Sequence, residues 1–468
     1  MSRKMKNKVI TNLLIERIAS EGKCVGYHEG KVVFVSNVAP GDMVDVRITR
    51  GKSSFMEGEA INFHEYSKDR IDPFCSHFGV CGGCKWQHIN YDLQKNYKRQ
   101  QVVDQFQRIA KVPIPEVAPI LGSSETKYYR NKLDFTFSNS RWLTREEINS
   151  GKEFERNALG FHIPKMFDKI VDIEHCYLQG GISNNVRNSL REFALSNQLS
   201  FYDIRNQVGL LRNLIIRTTS MGQTMVIVQF GENDPESIPM VMEFLKNKFP
   251  EITSLLYVIN TKGNETFHDL EIVNYAGLPY IEEEMEGLKF RVGPKSFYQT
   301  NSKQAYELYK VARDFAELKG DEVVYDLYTG TGTIANFVAK NAKQVIGVEY
   351  VEAAIEDAKL NSQINGIENT LFYAGDMKDI LTEDFISNHA KPDVVITDPP
   401  RAGMHEDVVN MLLRLESPTI VYVSCNPATQ ARDVALLAEK YQVERIQPVD
   451  MFPQTYHVEN VVRLTLKS

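Results

Sequence analysis

The sequence predicts an α/β protein in three parts: a small N-terminal β-barrel, a central α+β region and a C-terminal Rossmann-like domain. Three observations predict it. Short strand signals at even spacing fill residues 9 to 64, as small barrels require. A cysteine-rich knot and a mixed run of strands and helices come next. From about residue 295 apolar strands alternate regularly with helical stretches, the pattern of a parallel sheet with crossover helices. The boundaries drawn on this basis are 1–64, 65–290 and 291–468.

The chain has 468 residues, 43% apolar and 25% charged, within the range of ordinary globular proteins. It contains no apolar run of about 18 residues, and Met1-Ser2-Arg3-Lys4 leads into no signal-type core; a cytoplasmic protein without membrane association is expected. Six cysteines in a chain this long are too few for a disulfide framework. Net charge is −7, yet residues 1–141 carry 22 Lys and Arg against 15 Asp and Glu. A basic front suits a polyanionic partner. Nothing in the pattern calls for an obligate protein partner, and a monomer is expected.

In the first part, Leu13-Leu14-Ile15, Val32-Val33-Phe34-Val35 and Met43-Val44-Asp45-Val46 are separated by Glu29-Gly30 and Pro40-Gly41-Asp42. Gly26-Tyr27 and Val38-Ala39-Pro40-Gly41-Asp42 resemble the TRAM domain carried by RNA-modifying enzymes, which implies RNA binding. Cys75, Cys81 and Cys84 then fall within ten residues as Cys-x5-Cys-Gly-Gly-Cys. Three thiols so close in a reducing compartment point to metal. His77, His88 or the distant Cys176 can complete the set, and the spacing fits zinc or a [4Fe–4S] cluster. Residues 90–112 read as one amphipathic helix through Leu93, Tyr97, Val102, Phe106 and Ile109. Tyr128 to Phe137 interleaves aromatics with cations, which fits either base stacking and phosphate contact or an exposed strand edge.

In the third part, Val323 to Tyr328 is a strand, Thr329-Gly330-Thr331-Gly332 a turn, Thr333 to Lys340 a helix, and Val345 to Glu349 the next strand. The third glycine of the dinucleotide fingerprint is missing, Ile334 and Ala335 filling the gap. With Asp326 ahead and Glu349 behind, the turn fits S-adenosylmethionine better than NAD, because no pyrophosphate has to be cradled. A fourth strand ends in Asp398-Pro399-Pro400-Arg401 and a fifth in Ser424-Cys425-Asn426-Pro427. An acid before two prolines resembles the motif of amino-group methyltransferases, but Arg401 stands where those enzymes put a stacking aromatic. Strand ends on one side of a parallel sheet share one crevice, so Tyr328, Glu349, Asp398 and Cys425 should converge, with Cys425 a candidate nucleophile.

Phe297-Tyr298-Gln299-Thr300-Asn301, Asp326 to Gly332, Asp398 to Gly403, Ser424 to Pro427 and His457-Val458-Glu459-Asn460 occur in that order. Together they resemble the RNA (uracil-5-)-methyltransferase family. With the barrel and Cys75, Cys81, Cys84 and Cys176, the resemblance extends to the branch that acts on 23S ribosomal RNA and carries a [4Fe–4S] cluster on those cysteines, zinc being the alternative metal. The nearest rival is the T-loop of transfer RNA; a more distant one is a non-catalytic RNA-binding assembly factor. The resemblance implies Cys425 as the nucleophile and Glu459 as the base that removes the C5 proton, oriented by His457 and Asn460. It implies that Gln299, Tyr328, Glu349 and Asp398 contact S-adenosylmethionine. From its place closing the third strand Asp376 is a candidate to reach the adenine, and Phe297 is the candidate aromatic to stack on the target base. The chain departs from the family's usual Phe-Cys-Gly turn: it has Tyr-Thr-Gly, with Thr333 where an asparagine is common.

Overall fold

The computed structural model describes residues 7–19 and 22–468; the opening Met1–Lys4 lies outside them. The barrel strands are Val9–Leu14, Arg17–Ile18, Cys24–His28, Lys31–Ser36, Met43–Gly51 and Phe55–Glu65. Val9–Leu14 and Arg17–Ile18, consecutive in the chain, stand at opposite ends of the sheet order, so the sheet curls until its ends meet. Alternation puts Val33, Val35, Val44, Val46 and Ile48 inside, all fully buried, as a half-buried strand dictates. Gly58 lies where a Cβ would come 2.3 Å from Val46 Cγ1, so only glycine lets the strands cross there. The buried Asp42 accepts from the amides of Ala39 (2.6 Å) and Ser67 (2.8 Å) and from Arg70, which fastens the barrel to the segment leading into the cysteine cluster. The remaining cysteine, Cys24, is packed in this barrel with its thiol donating to the Val38 carbonyl.

The segment expected as a single amphipathic helix is an α-helix over Tyr91–Gln105 that ends in a π-helical turn, Phe106–Ala110. Its buried face also differs from the apolar stripe. Gln94, Lys98 and Val102 are buried, while Ile109 is 38% exposed. The physical reason is partner chemistry: Lys98 and Gln94 find Asp450 and Gln454 inside the protein, and periodicity of apolar residues cannot register such pairs.

The central sheet runs Ile272–Gly277, Ser254–Ile259, Thr224–Phe230, Leu211–Thr218, Lys132–Ser138, Ala158–Ile163, Met166–Asp172. Lys132–Ser138 is therefore an interior strand, not an edge; Phe135 and Phe137 are fully buried, and of the aromatics in this stretch only Tyr128 stays exposed. The helices Ser183–Ser196 and Ser237–Lys248 cover one face through Val186, Leu190, Val241 and Leu245. On the other face Ile215, Met225 and Ile227 share one cluster with Leu308, Ala312 and Phe337 of the C-terminal region. Covering both faces explains why Thr224–Phe230 is buried at every position.

The C-terminal sheet has the order Thr370–Ala374, Gln344–Glu349, Val323–Leu327, Val394–Thr397, Thr419–Ser424, Glu459–Leu466, Tyr441–Val449. The first five strands are parallel. Glu459–Leu466 runs antiparallel to Thr419–Ser424 and pairs Asn460 with Ser424. The order reverses beside Val323–Leu327, which is where an open α/β sheet forms its ligand crevice. This is a Rossmann-like α/β fold behind a small barrel. Among the described residues no helix is long and apolar enough to cross a membrane.

Candidate active site and four-cysteine pocket

The glycine turn is built from its hydrogen bonds. Asp326, buried at the end of its strand, accepts from Thr329 Oγ1 (2.5 Å) and from the Ala335 amide (3.1 Å). These bonds fold the chain back to start the helix Thr333–Ala339. Tyr328 takes a left-handed φ of 62°, as do Gly330 and Gly332. Glu349 closes the next strand and accepts from the amides of Gly330 (3.2 Å) and Val351 (3.0 Å). Tyr328 and Asp376 line one cleft of about 280 Å³ with Tyr350, Met377 and His405. Asp376 also caps the short helix after it, accepting from the Lys378 amide. Gln299 lies apart from the wall of that cleft; its carbonyl accepts from Asn131 Nδ2 at 2.9 Å. Thr333 is buried and turned to Thr331, Oγ1 to Oγ1 at 3.3 Å. Phe297 is 67% exposed.

At the far end of the crevice Cys425 comes directly after its strand. Asn426 caps the helix Pro427–Leu437 and donates through Nδ2 to the Arg401 carbonyl at 3.0 Å. Thr429 Oγ1 donates to the same carbonyl at 3.2 Å. The turn after Asp398 and the turn at Cys425 are thereby tied together. Register does the rest: Ser424 opposes Asn460 across an antiparallel pair, so Cys425 and Glu459, one residue beyond on each strand, emerge side by side.

The electrostatics of this corner are those of crowded acids in a dry place. Burial pushes Glu459 up to about 8, and the neighbouring Asp398 adds to the rise. Asp398 is raised to about 7 by burial and then by Asp326. Asp326 reaches about 7 through burial, against the two bonds it accepts and with Glu349 pushing further. The Cys425 thiol is raised to about 11, by burial first and then by Glu459 and Asp398. Arg401 opposes these shifts. Its charge lowers both Glu459 and Cys425, and it also hydrogen-bonds the sulfur. The sequence marks Arg401 only as a replacement for an aromatic; its place against the thiol is what sequence reasoning misses. Tyr309 is missed altogether. Its phenol is held well above its ordinary value by burial, then by Asp398, Tyr298, Asp326 and Glu459, which puts it among the same acids. Its one signal is its position on the apolar face of the helix Ser302–Ala316.

Two expected helpers of Glu459 do something else. Asn460 Nδ2 donates to Gln430 Oε1 at 2.7 Å, in the core. His457 is held neutral, lowered to about 4 by burial and then by Arg401, Lys98 and Arg130, and stacks near Tyr456 with ring centroids 4.3 Å apart. Neither hydrogen-bonds Glu459 among the described residues.

Cys75, Cys81, Cys84 and Cys176 line a single pocket, together with His77, Phe78 and Leu178. All four are free thiols, and burial raises each of them. Of the other local candidates, His77 Nε2 accepts from the Glu174 amide. His88 faces the barrel, its Nε2 3.1 Å from the Val38 carbonyl oxygen. Among the described residues no three His, Cys, Asp or Glu side chains are grouped to hold one metal ion. The structure thus brings the four sequence-predicted cysteines to one place.

Comparison with known proteins agrees with this geometry. Residues 280–467 match the family described as tRNA (uracil-5-)-methyltransferase, and residues 3–61 match the TRAM domain. The chain is 58% identical over 454 residues to an uncharacterized RNA methyltransferase of Bacteroides thetaiotaomicron, covering 96% of this chain and 100% of that protein. It is 57% identical to an uncharacterized RNA methyltransferase of Porphyromonas gingivalis, covering 96% and 98%. Among solved structures, the Pyrococcus abyssi tRNA (uracil-54, C5)-methyltransferase in complex with S-adenosyl-L-homocysteine superposes with a TM-score of 0.75 at 28% identity, over 97% of this chain and 100% of that one. The chain thus belongs to the RNA (uracil-5-)-methyltransferase family, as an S-adenosylmethionine-dependent enzyme of RNA with an N-terminal TRAM domain.

Proposed function

We propose that the enzyme forms 5-methyluridine in 23S ribosomal RNA, with Cys425 as nucleophile and Glu459 as base. The observation that carries this reading is the Ser424–Asn460 register pair, which sets a thiol and a buried carboxyl together at neighbouring strand ends. Uracil C5 is a weak nucleophile until something adds at C6. Once its proton has left to solvent, the Cys425 thiolate forms a bond to C6, and the C5–C6 π electrons move onto the C4 carbonyl as an enolate. C5 then bonds the methyl group of S-adenosylmethionine, and the carbon–sulfur bond breaks to leave S-adenosylhomocysteine. In its carboxylate form Glu459 takes the C5 proton, the C5–C6 double bond re-forms, and the thiolate leaves. Arg401 supports the first step by stabilising the thiolate against a neighbourhood of acids. Gln299, Tyr328, Glu349, Asp398 and Asp376 are the proposed cofactor contacts, and the exposed Phe297 is the proposed stacking partner of the flipped uridine.

The three segments 1–64, 65–290 and 291–468 serve as RNA-binding barrel, cluster-bearing middle and catalytic domain. Cys75, Cys81, Cys84 and Cys176 are the proposed ligands of a [4Fe–4S] cluster. Bound there, it would cross-link residues 75–84 to residue 176. Anaerobic purification is expected to give a brown protein with iron and sulfide in equal amounts; a colourless protein loaded with zinc would overturn this assignment.

The four-cysteine motif favours the ribosomal substrate, by its resemblance to that branch. The archaeal neighbour, a tRNA (uracil-54, C5)-methyltransferase, spans the same length of chain and supports a second reading, the T-loop of transfer RNA. Mapping 5-methyluridine in both RNAs from a strain lacking the gene separates the two. Loss confined to 23S ribosomal RNA is expected; loss from transfer RNA instead would replace the first reading with the second.

A further inference from the structure

We propose that Gln94 and Lys98 are positioning residues for Glu459, acting through the loop 450–458, and that the cysteine segment belongs to the same clamp. The inference rests on the assignment of Glu459 as the base. The loop 450–458 joins two antiparallel strands whose first pair is Val449 with Glu459, so the loop's path sets where the Glu459 carboxyl emerges. That path is fixed from outside the catalytic sheet. Lys98 Nζ donates to Asp450 Oδ1 (2.6 Å) and to the Phe452 carbonyl (3.0 Å). Gln94 and Gln454 bond reciprocally: Gln94 Nε2 donates to Gln454 Oε1 and the Gln454 amide donates to Gln94 Oε1, both at 3.0 Å. The Gln454 carbonyl accepts from the amides of Lys85 (2.8 Å) and Trp86 (3.0 Å), the two residues immediately after Cys84. Gln454 itself holds a left-handed φ of 67°, a strained conformation that persists where its surroundings over-determine it.

Gln94, Lys98 and Asp450 are all 0% exposed. A helix that buries a glutamine and a lysine in place of apolar side chains gives up packing, and a buried ion pair contributes little net stability over apolar groups of the same size. What such groups supply is direction: each bond holds one atom of the loop at one place. The helix Tyr91–Gln105 therefore serves as a template for the loop that presents the base, and Cys84 adjoins the amides that complete it. A disturbance at the four-cysteine site reaches Glu459 through Lys85 and Trp86.

The consequence is a specific kinetic defect. With the loop loosened, Cys425 still adds to C6 and the cofactor still binds, but removal of the C5 proton slows and the covalent enzyme–RNA adduct lives longer. The test uses the full-length enzyme with unmodified 23S ribosomal RNA and transfer RNA transcripts. Adduct lifetime and S-adenosylmethionine affinity are measured for Gln94→Met and for Gln454→Gly, with Glu459→Gln as reference. Gln94→Met keeps the shape and removes the reciprocal pair; Gln454→Gly removes the side-chain bond while suiting the positive φ, and decides the matter if the first variant does not fold. The expected result is an adduct about tenfold longer-lived with cofactor affinity changed less than about twofold. Adduct decay at the wild-type rate in both variants overturns the proposal. So does a parallel loss of cofactor binding and thermal stability, which marks a merely structural role. If Glu459→Gln forms no long-lived adduct, the base assignment itself has failed, and that result is distinct from the other two.

Discussion

Cys425 sits in surroundings that work against its own reactivity. Burial, Glu459 and Asp398 together hold the thiol at about 11, and a thiol is a poor nucleophile beside its thiolate. Arg401 is the group that acts the other way at both Cys425 and Glu459. Replacing it, Arg401→Ala, should slow adduct formation at neutral pH by about ten- to a hundredfold and move the rising limb of its pH profile to higher pH, as rapid-quench measurements of adduct against pH can show. The raised acids give a second prediction, in stability. Glu459, Asp398 and Asp326 keep their protons in the folded state to about 7–8 but lose them near 4 when unfolded. Between those values the folded state binds more protons, so this contribution is fully present at acid pH and is lost as pH rises through the folded values of 7–8. Thermal unfolding of Glu459→Gln should show a weaker decline across that window than the parent does. Cys425 and Glu459 are both legible as residues in motifs. Their neighbours are not, because a sequence records that Arg401 stands after two prolines but not which way its guanidinium turns.

At the scale of elements, the glycine turn and the strand ends are legible because their chemistry is local. Gly332 combines a φ of 72° with a hypothetical Cβ only 2.8 Å from that of Ala358. Gly332→Ala should therefore destabilise the protein by roughly 1–3 kcal/mol and weaken S-adenosylmethionine binding, both measurable by thermal shift with and without the cofactor. For the helix Tyr91–Gln105 the sequence predicts the place but not the buried face. Its buried positions are chosen by Asp450 and Gln454, more than 350 residues later in the chain, and periodicity carries no information about partners so distant. The strand Lys132–Ser138 deceives in the same way. Alternating aromatics and cations suit an edge, yet tertiary pairing with Leu211–Thr218 and Ala158–Ile163 puts it inside the sheet. Register across Thr419–Ser424 and Glu459–Leu466 is likewise invisible in the sequence, although it is the feature that brings the proposed base, Glu459, beside the proposed nucleophile, Cys425.

Over the whole molecule, the three larger sheets are not independent. Ile215 and Met225 of the central sheet share a core with Leu308 of the helix Ser302–Ala316, and the cysteine segment grips the loop before Glu459. The excess of basic residues in the first 141 positions of an otherwise acidic chain suits an enzyme whose front holds RNA while its back performs the transfer. The count of cation–RNA contacts should appear as a steep fall of RNA affinity with salt, against little salt dependence for S-adenosylmethionine, in paired binding titrations. Covalent passage through Cys425, completed by Glu459, is tested most directly by the intact mass of Glu459→Gln after incubation with RNA and S-adenosylmethionine. The expected species equals enzyme plus RNA plus one methyl group, and it is absent when Cys425→Ala is added. Release of 5-methyluridine by the Cys425→Ala enzyme, or no covalent species from Glu459→Gln, would contradict it.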